Sequence, residues 1–233
     1  MEKVSVIIPV YNHEKFIAET IDSVLDQSHR NTEIIVVNDG STDGTKEVLH
    51  GYKDKILMIE QANAGPSAAR NHGLRKATGK FICFLDSDDK FYPSKLERQL
   101  QVFRRVQKVG LVHAGATVTK TNNQFWYRYI PRPFHSHKQQ IVELLRSNHI
   151  VCSTVMVRRE LFSRVGYFNE SYPRHQDYDM WLRLLAHCPF GSVPEALILY
   201  RWHEQNISRE TDKAALRIMK EEAAKRFREL GKE

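Results

Sequence analysis

"FICFLDSDD", residues 81 to 89, is an apolar run that ends in three carboxylates within four positions. Phe81 to Leu85 shows no polar alternation, which marks a strand buried on both faces, as in a parallel sheet. Asp86, Asp88 and Asp89 follow, and like charges this close repel. In extended backbone, residues i and i+2 point the same way, so Asp86 and Asp88 can face one cation. Oxygen ligands suit Mg²⁺ or Mn²⁺. The other reading makes these acids turn residues ahead of Pro93, and an isolated Asp-x-Asp does not separate the two.

Outward from this strand, the first half alternates strands and helices. Val4 to Ile8 is a β-branched run closed by Pro9. Phe16, Ile17, Ile21, Val24 and Leu25 share one helical face. Glu33 to Val37 and Ile56 to Ile59 read as further strands, with helices around Thr45 to Leu49 and Pro66 to Ala77. This repetition predicts an α/β fold with a doubly wound, mostly parallel sheet in a single Rossmann-like domain.

Beyond "FLDSDD", Ser94 and Glu97 have capping-box spacing at the start of a helix running to about Val106. Gly110 to Thr119 and Ala196 to Tyr200 read as strands. Helices are predicted over Gln139 to Arg146, Arg159 to Val165 and Asp177 to Cys188. Asn122 to Lys138, "NNQFWYRYIPRPFHSHK", is aromatic and basic and reads as a hairpin or loop excursion. The expected organisation is one domain over 1–209, in two halves (1–109 and 110–209). An amphipathic helix over 210–233 would follow it, solvated or touching a membrane or second subunit.

At 233 residues, 41% hydrophobic and 27% charged, the chain has the composition of a soluble globular protein. Its net charge of +7 favours anionic partners without choosing among them. Cys83, Cys152 and Cys188 match no zinc spacing, and their apolar settings predict buried reduced thiols of a cytoplasmic protein. "MEKVSVIIPVYN" lacks a signal-peptide layout, and no apolar run approaches the ~20 residues of a membrane span, so any membrane contact is expected to be peripheral.

Ligands of open α/β sheets bind beyond the carboxyl ends of the strands. Those ends carry Pro9-Val10-Tyr11-Asn12, Asn38-Asp39-Gly40-Ser41, Gln61 to Gly65, and Asp86 to Asp89. The first strand–helix turn has no glycine, so neither G-x-G-x-x-G nor G-x-x-x-x-G-K-[ST] is present. A nucleotide bound here would need its phosphate charge offset by a cation held on carboxylates rather than by a backbone cradle.

Six stretches taken in order resemble the family 2 inverting glycosyltransferases with the GT-A fold. They are "SVIIPVYNHEKFIAETIDSVLDQS", "EIIVVNDGSTDGT", "NAGPSAARNHGLRKATGKFICFLDSDD", "VGYFNE", "QDYDMWLRL" and "YRWHEQNIS", spanning Val4 to about Ser208. The resemblance implies transfer of a sugar from a nucleotide-diphospho-sugar to a saccharide or lipid-linked acceptor, with Mn²⁺ or Mg²⁺. Pro9, Tyr11 and Asp39 would frame the base, and Arg70 would sit near base or phosphates. Asp86 would face the ribose, Asp88 would bind the metal, and Asp89 would be a turn acid. Asp177 would be the general base. The family's Glu-Asp pair is Gln176-Asp177 here, which puts an acceptor contact in doubt rather than the base. A position in the first helical turn would lower the Asp177 pKa. His203 would be a metal ligand and Arg201 a phosphate contact or a solvated cation, while the other histidines show no metal-ligand spacing. Residues 1–109 would then be the nucleotide-sugar-binding half and 110–209 the acceptor-side and catalytic-base half. The aromatic and basic side chains of Phe125 to Lys138 suit acceptor contacts, and an irregular hairpin with some core aromatics is the equal alternative. The setting implied is bacterial cell-surface polysaccharide or glycolipid assembly, in the cytoplasm or at the inner membrane face.

A sugar-1-phosphate nucleotidyltransferase would want a Gly-rich basic loop where "VIIPVYNHEKF" stands. A non-catalytic nucleotide-sugar-binding domain rests on Gln176 alone. Nucleic-acid binding rests on charge, without a motif.

Overall fold

The computed structural model describes residues 2–120, 124–134, 136–203, 206 and 212–230. His135, the first residues of the aromatic loop at 121–123, most of "EQNIS" and the ends of the expected tail helix lie outside the described residues.

β1 (Val4–Val10), β2 (Thr32–Asn38), β3 (Leu57–Glu60) and β4 (Phe81–Phe84) form a parallel array in the order β3-β2-β1-β4. The connections run through α1 (Ile17–Leu25), α2 (Thr45–His50) and α3 (Pro66–Lys76). Alternate residues of these strands feed two cores. Val6, Ile8, Val36 and Cys83 pack under α1 and α2, whereas Ile7, Ile35, Val37 and Phe84 pack under α3. Coverage on both faces explains why the strands read as unbroken apolar runs. Burying a side chain such as Phe84 contributes about 1.5–3 kcal/mol. Gly73 lets α3 lie close on β1, since a Cβ there would stand 2.5 Å from Ile7 Cγ2.

The second half makes the sheet mixed. It comprises β5 (Lys90–Phe91), α4 (Lys95–Arg105), β6 (Leu111–Lys120), β7 (Phe125–Tyr129), α5 (His137–Arg146), β8 (Met156–Arg158), α6 (Phe162–Val165), α7 (Gln176–Leu185), β9 (Phe190–Trp202) and α8 (Lys213–Leu230). The full order is β3-β2-β1-β4-β8-β6-β9-β5, with β7 on β6. β6 and β9 run parallel; β8, β5 and β7 are antiparallel to their neighbours. β9 is far longer than the Ala196–Tyr200 expectation. Its start carries Gly191 and Pro194, which hide the strand in sequence, and the register shifts at Ala114/Gly115 accommodate the irregularity.

Two further expectations change. Ser94 makes no side-chain cap, its backbone (φ −96°, ψ 3°) lying outside the extended region of a capping residue, and Glu97 pairs with Arg104; the extended Ser136 does cap α5, accepting from the Gln139 amide. The tail helix α8 is not merely solvated: Met219 and Ala223 are buried against α5 and α7. Lys95, in α4, is fully buried. It donates to the Val155 carbonyl at 3.0 Å and lies over the Phe91 ring at 4.1 Å, and burial lowers its pKa. No described helix is long and apolar enough to cross a membrane.

Glu33 ties β2 to the turn before β4. Burial alone would raise its pKa, but hydrogen bonds from Lys3, Ser5 and Thr78 prevail and hold it at about 2. The folded pKa lies below the unfolded one, so this stabilisation is present above about pH 4.5 and is lost as pH falls toward 2. Glu33→Gln is expected to lower Tm by ~3–6 °C at pH 7, for a discounted loss of ~1–2 kcal/mol. The two melting curves should draw together as pH falls through about 2.

Candidate active site

The carboxyl ends of β1, β2 and β4 open into one cavity of about 800 Å³. Pro9, Tyr11, Asp39, Arg70, Asp86, Asp88, Asp177 and His203 all line it, so the fold brings these eight together. The wall opposite the parallel strands comes from Asn148, Cys152 and Arg174 to Asp177.

At the β1 end, Tyr11 is 46% exposed, with its ring at the cavity mouth. Asp39 is buried and accepts from the Gln61 side chain (2.8 Å) and the amides of Ala64 (2.9 Å) and Gly65 (2.8 Å). A carboxylate has about four lone-pair sites, so one acceptor position remains. Gly65 holds φ +88° while it donates, a conformation a side chain would strain.

The acidic corner differs from its sequence reading. The strand stops at Phe84, and the Asp89 amide donates to the Asp86 carbonyl at 3.0 Å, closing a turn. Asp86 and Asp88 therefore do not face one cation from adjacent pleats. Asp86 accepts from Arg70 at 2.6 Å, whose guanidinium lies 5.7 Å from the centre of the Phe168 ring. Asp88 accepts from His203 Nε2 at 2.7 Å. Asp89, whose amide closes this turn, has a buried side chain. It is 1% exposed, accepts from Ser153 Oγ at 2.6 Å and from the Arg201 amide at 3.1 Å, and burial pushes its carboxyl well up. Arg201 is likewise neither solvated nor in the cavity lining: it is 2% exposed and bonded to the Asp88 carbonyl and to Glu19.

His13 joins this corner and was not foreseen. Donor atoms of His13, Asp88 and His203 lie within 4.8 Å of one another. His13 Nδ1 lies 2.7 Å from Ser87 Oγ, which fixes the ring, and His203 stacks on Phe16. One carboxylate and two imidazoles form a donor set that fits Mn²⁺-type ions. The only sequence signal was a histidine two positions past Tyr11; its partner lies at the other end of the chain.

Asp177 stands on the facing wall in the first turn of α7. Its oxygens accept from the Tyr178 amide (2.8 Å) and Asn148 Nδ2 (3.1 Å). Burial raises its pKa, outweighing the Tyr178 amide and the charge of Arg70. The helix start was expected to lower it; desolvation in the cavity wall wins instead. Gln176 donates to the Pro173 carbonyl at 3.1 Å, a bond a carboxylate could not make. Asn12 and His175 adopt left-handed φ of 54° and 60°, just before His13 and just before Gln176-Asp177. Strained backbone thus aims both walls.

The mixed sheet and the cavity at its strand ends are those of a GT-A fold. The structure superposes on Staphylococcus aureus TarS 1–349 in complex with UDP-GlcNAc with TM-score 0.73 at 20% identity, covering 98% of this chain and 71% of that one. For the mannosyltransferase PcManGT from Pyrobaculum calidifontis, in complex with GDP-Man and Mn²⁺, the TM-score is 0.69 at 20% identity, covering 97% and 63%. Residues 5–166 match the model of glycosyl transferase family 2, and the chain belongs to that family. It is 35% identical over 219 residues to the Bacillus subtilis protein described as "Putative teichuronic acid biosynthesis glycosyltransferase TuaG", covering 91% of this chain and 84% of that one. It is 34% identical over 212 residues to an uncharacterised glycosyltransferase of Rickettsia felis. The chain spans 31% to 64% of the length of the rickettsial relatives it matches.

Proposed function

We propose that the chain transfers a sugar from a nucleotide-diphospho-sugar to an acceptor hydroxyl with inversion at the anomeric carbon. The observation that carries this is one cavity with Asp177 on one wall and the His13–Asp88–His203 cluster in its acidic corner. Tyr11 stacks on the base, and the remaining acceptor site of Asp39 takes a ring N–H. Arg70 neutralises Asp86, which turns its other oxygen to the ribose. His13, Asp88 and His203 would hold a divalent cation, which when bound supplies Lewis-acid stabilisation of the departing diphosphate. Asp177 accepts the acceptor proton as the hydroxyl attacks from the face opposite the leaving group, and one displacement inverts the configuration.

The solved relatives bind UDP, UDP-GlcNAc, and GDP-Man with Mn²⁺, which supports a nucleotide-sugar donor. TuaG's description supports bacterial cell-surface polysaccharide as the setting. The same reading puts the enzyme in the cytoplasm or at the inner membrane face. The test is incubation with a panel of UDP- and GDP-sugars and Mn²⁺, scored for slow donor hydrolysis. Release of nucleoside diphosphate, abolished by chelator, is expected. Pyrophosphate-dependent turnover would indicate a nucleotidyltransferase instead, and binding without turnover an inert sugar-nucleotide domain.

A further inference from the structure

We infer that the β6–β7 hairpin is a docking surface for an anionic lipid bilayer. β7 leaves apolar side chains of both its faces in solvent: Phe125 is 60% exposed, Trp126 48% and Tyr127 47%, with Ile130 40% just beyond. A monomer that covers its core on both sheet faces has no structural need for such a patch. Trp and Tyr beside exposed cations are the side chains that settle at a membrane–water interface.

Charge selects the occupant. No Asp or Glu occurs anywhere from residue 98 to 142, while eight Lys and Arg do, among them Lys120 at the end of β6, Arg128 in β7 and Arg132 just beyond it. Arg128 and Arg132 have no acidic partner among the described residues. Anionic headgroups would compensate them. An uncharged glycan is the poorer fit, because it would leave Arg128 and Arg132 uncompensated. The tail helix is the poorer candidate within the chain, since Met219 and Ala223 of its apolar side already pack on the core.

The surface is also placed to matter. Lys120 pairs with Trp202, Trp126 packs 5.9 Å from Trp202, and His203 is the next residue. A bilayer met by the hairpin would therefore lie beside the cavity mouth, where a lipid-linked acceptor could reach Asp177 without leaving its membrane. Bilayer binding itself stands independently of the sugar-transfer reading.

The test is sedimentation of the full chain with sucrose-loaded vesicles, either pure phosphatidylcholine or 70:30 phosphatidylcholine:phosphatidylglycerol, at 0.15 and 0.5 M NaCl. Pelleting with the anionic vesicles only, weakened by salt, is expected. R128E/R132E should reduce partitioning at least tenfold and W126A several-fold, with circular dichroism unchanged. Brominated lipid should quench wild-type tryptophan fluorescence more than that of W126A. Three outcomes would overturn the proposal: no pelleting, pelleting unaltered in these variants, or a dimer in light scattering that W126A dissociates, which would make the patch a contact between copies. Donor hydrolysis measured on the same preparations separates loss of docking from loss of chemistry.

Discussion

Asp177→Asn is expected to lower turnover by ~10²–10⁴-fold, the usual cost of removing a positioned general base. The amide is nearly isosteric and keeps the α7 start in place, and the Asp177 side chain does not join the acidic corner. Donor and metal binding should therefore survive, so the loss falls on kcat rather than KM. The pH profile adds an independent readout. A base must be ionised to work, and burial raises the Asp177 pKa. The rate should rise with pH through a limb set above the ordinary aspartate value, and that limb should vanish in the variant. A wild-type limb at or below the range of exposed aspartates would remove Asp177 from the role. Steady-state kinetics at 1:1 buffer matching over pH 4 to 8 measures both.

Asp88→Asn has a comparable effect by another route. It removes the one carboxylate from the His13–Asp88–His203 cluster and leaves His203 Nε2 facing an amide. A loss of ~10³-fold corresponds to about 4 kcal/mol, within what charge neutralisation at a leaving group supplies. Saturation with Mn²⁺ should not restore it, and Mn²⁺-dependent heat in titration calorimetry should disappear. His13→Ala should cost about tenfold to a hundredfold and weaken Mn²⁺ binding in proportion. Equal metal affinity in the wild type, the Asp88 variant and the His13 variant would place the cation elsewhere.

The architecture was legible where physics left a local trace. β1, β2 and β4 announce themselves as unbroken apolar runs because helices cover both their faces. β5 and β8, of two and three residues, are made by pairing partners far away in sequence, and no local pattern could specify them. The site divides the same way. Asp39, Asp86 and Asp88 could be located by standing at strand ends. What each would touch could not: whether Asp89 faces water, whether Arg201 reaches phosphate, and whether His13 meets His203 depend on how β9 crosses the sheet. The Asp177 pKa fell between two opposing local effects, helix start and burial, and only the closed cavity wall decides between them.

The placement of β9 has a consequence for how the molecule is born. Among the described residues β5 pairs with no strand but β9, and the buried Asp89 carboxylate accepts from the Arg201 amide as well as from Ser153. A chain emerging from the ribosome has made its whole parallel array long before that strand appears. Until then two neighbouring acids at 88 and 89 lack the histidine and the amide that hold them. Closure over such sequence separation is slow. The catalytic corner should be the last part of the fold to set, and a chain halted before residue 190 should bind nucleotide poorly even with its first four strands formed.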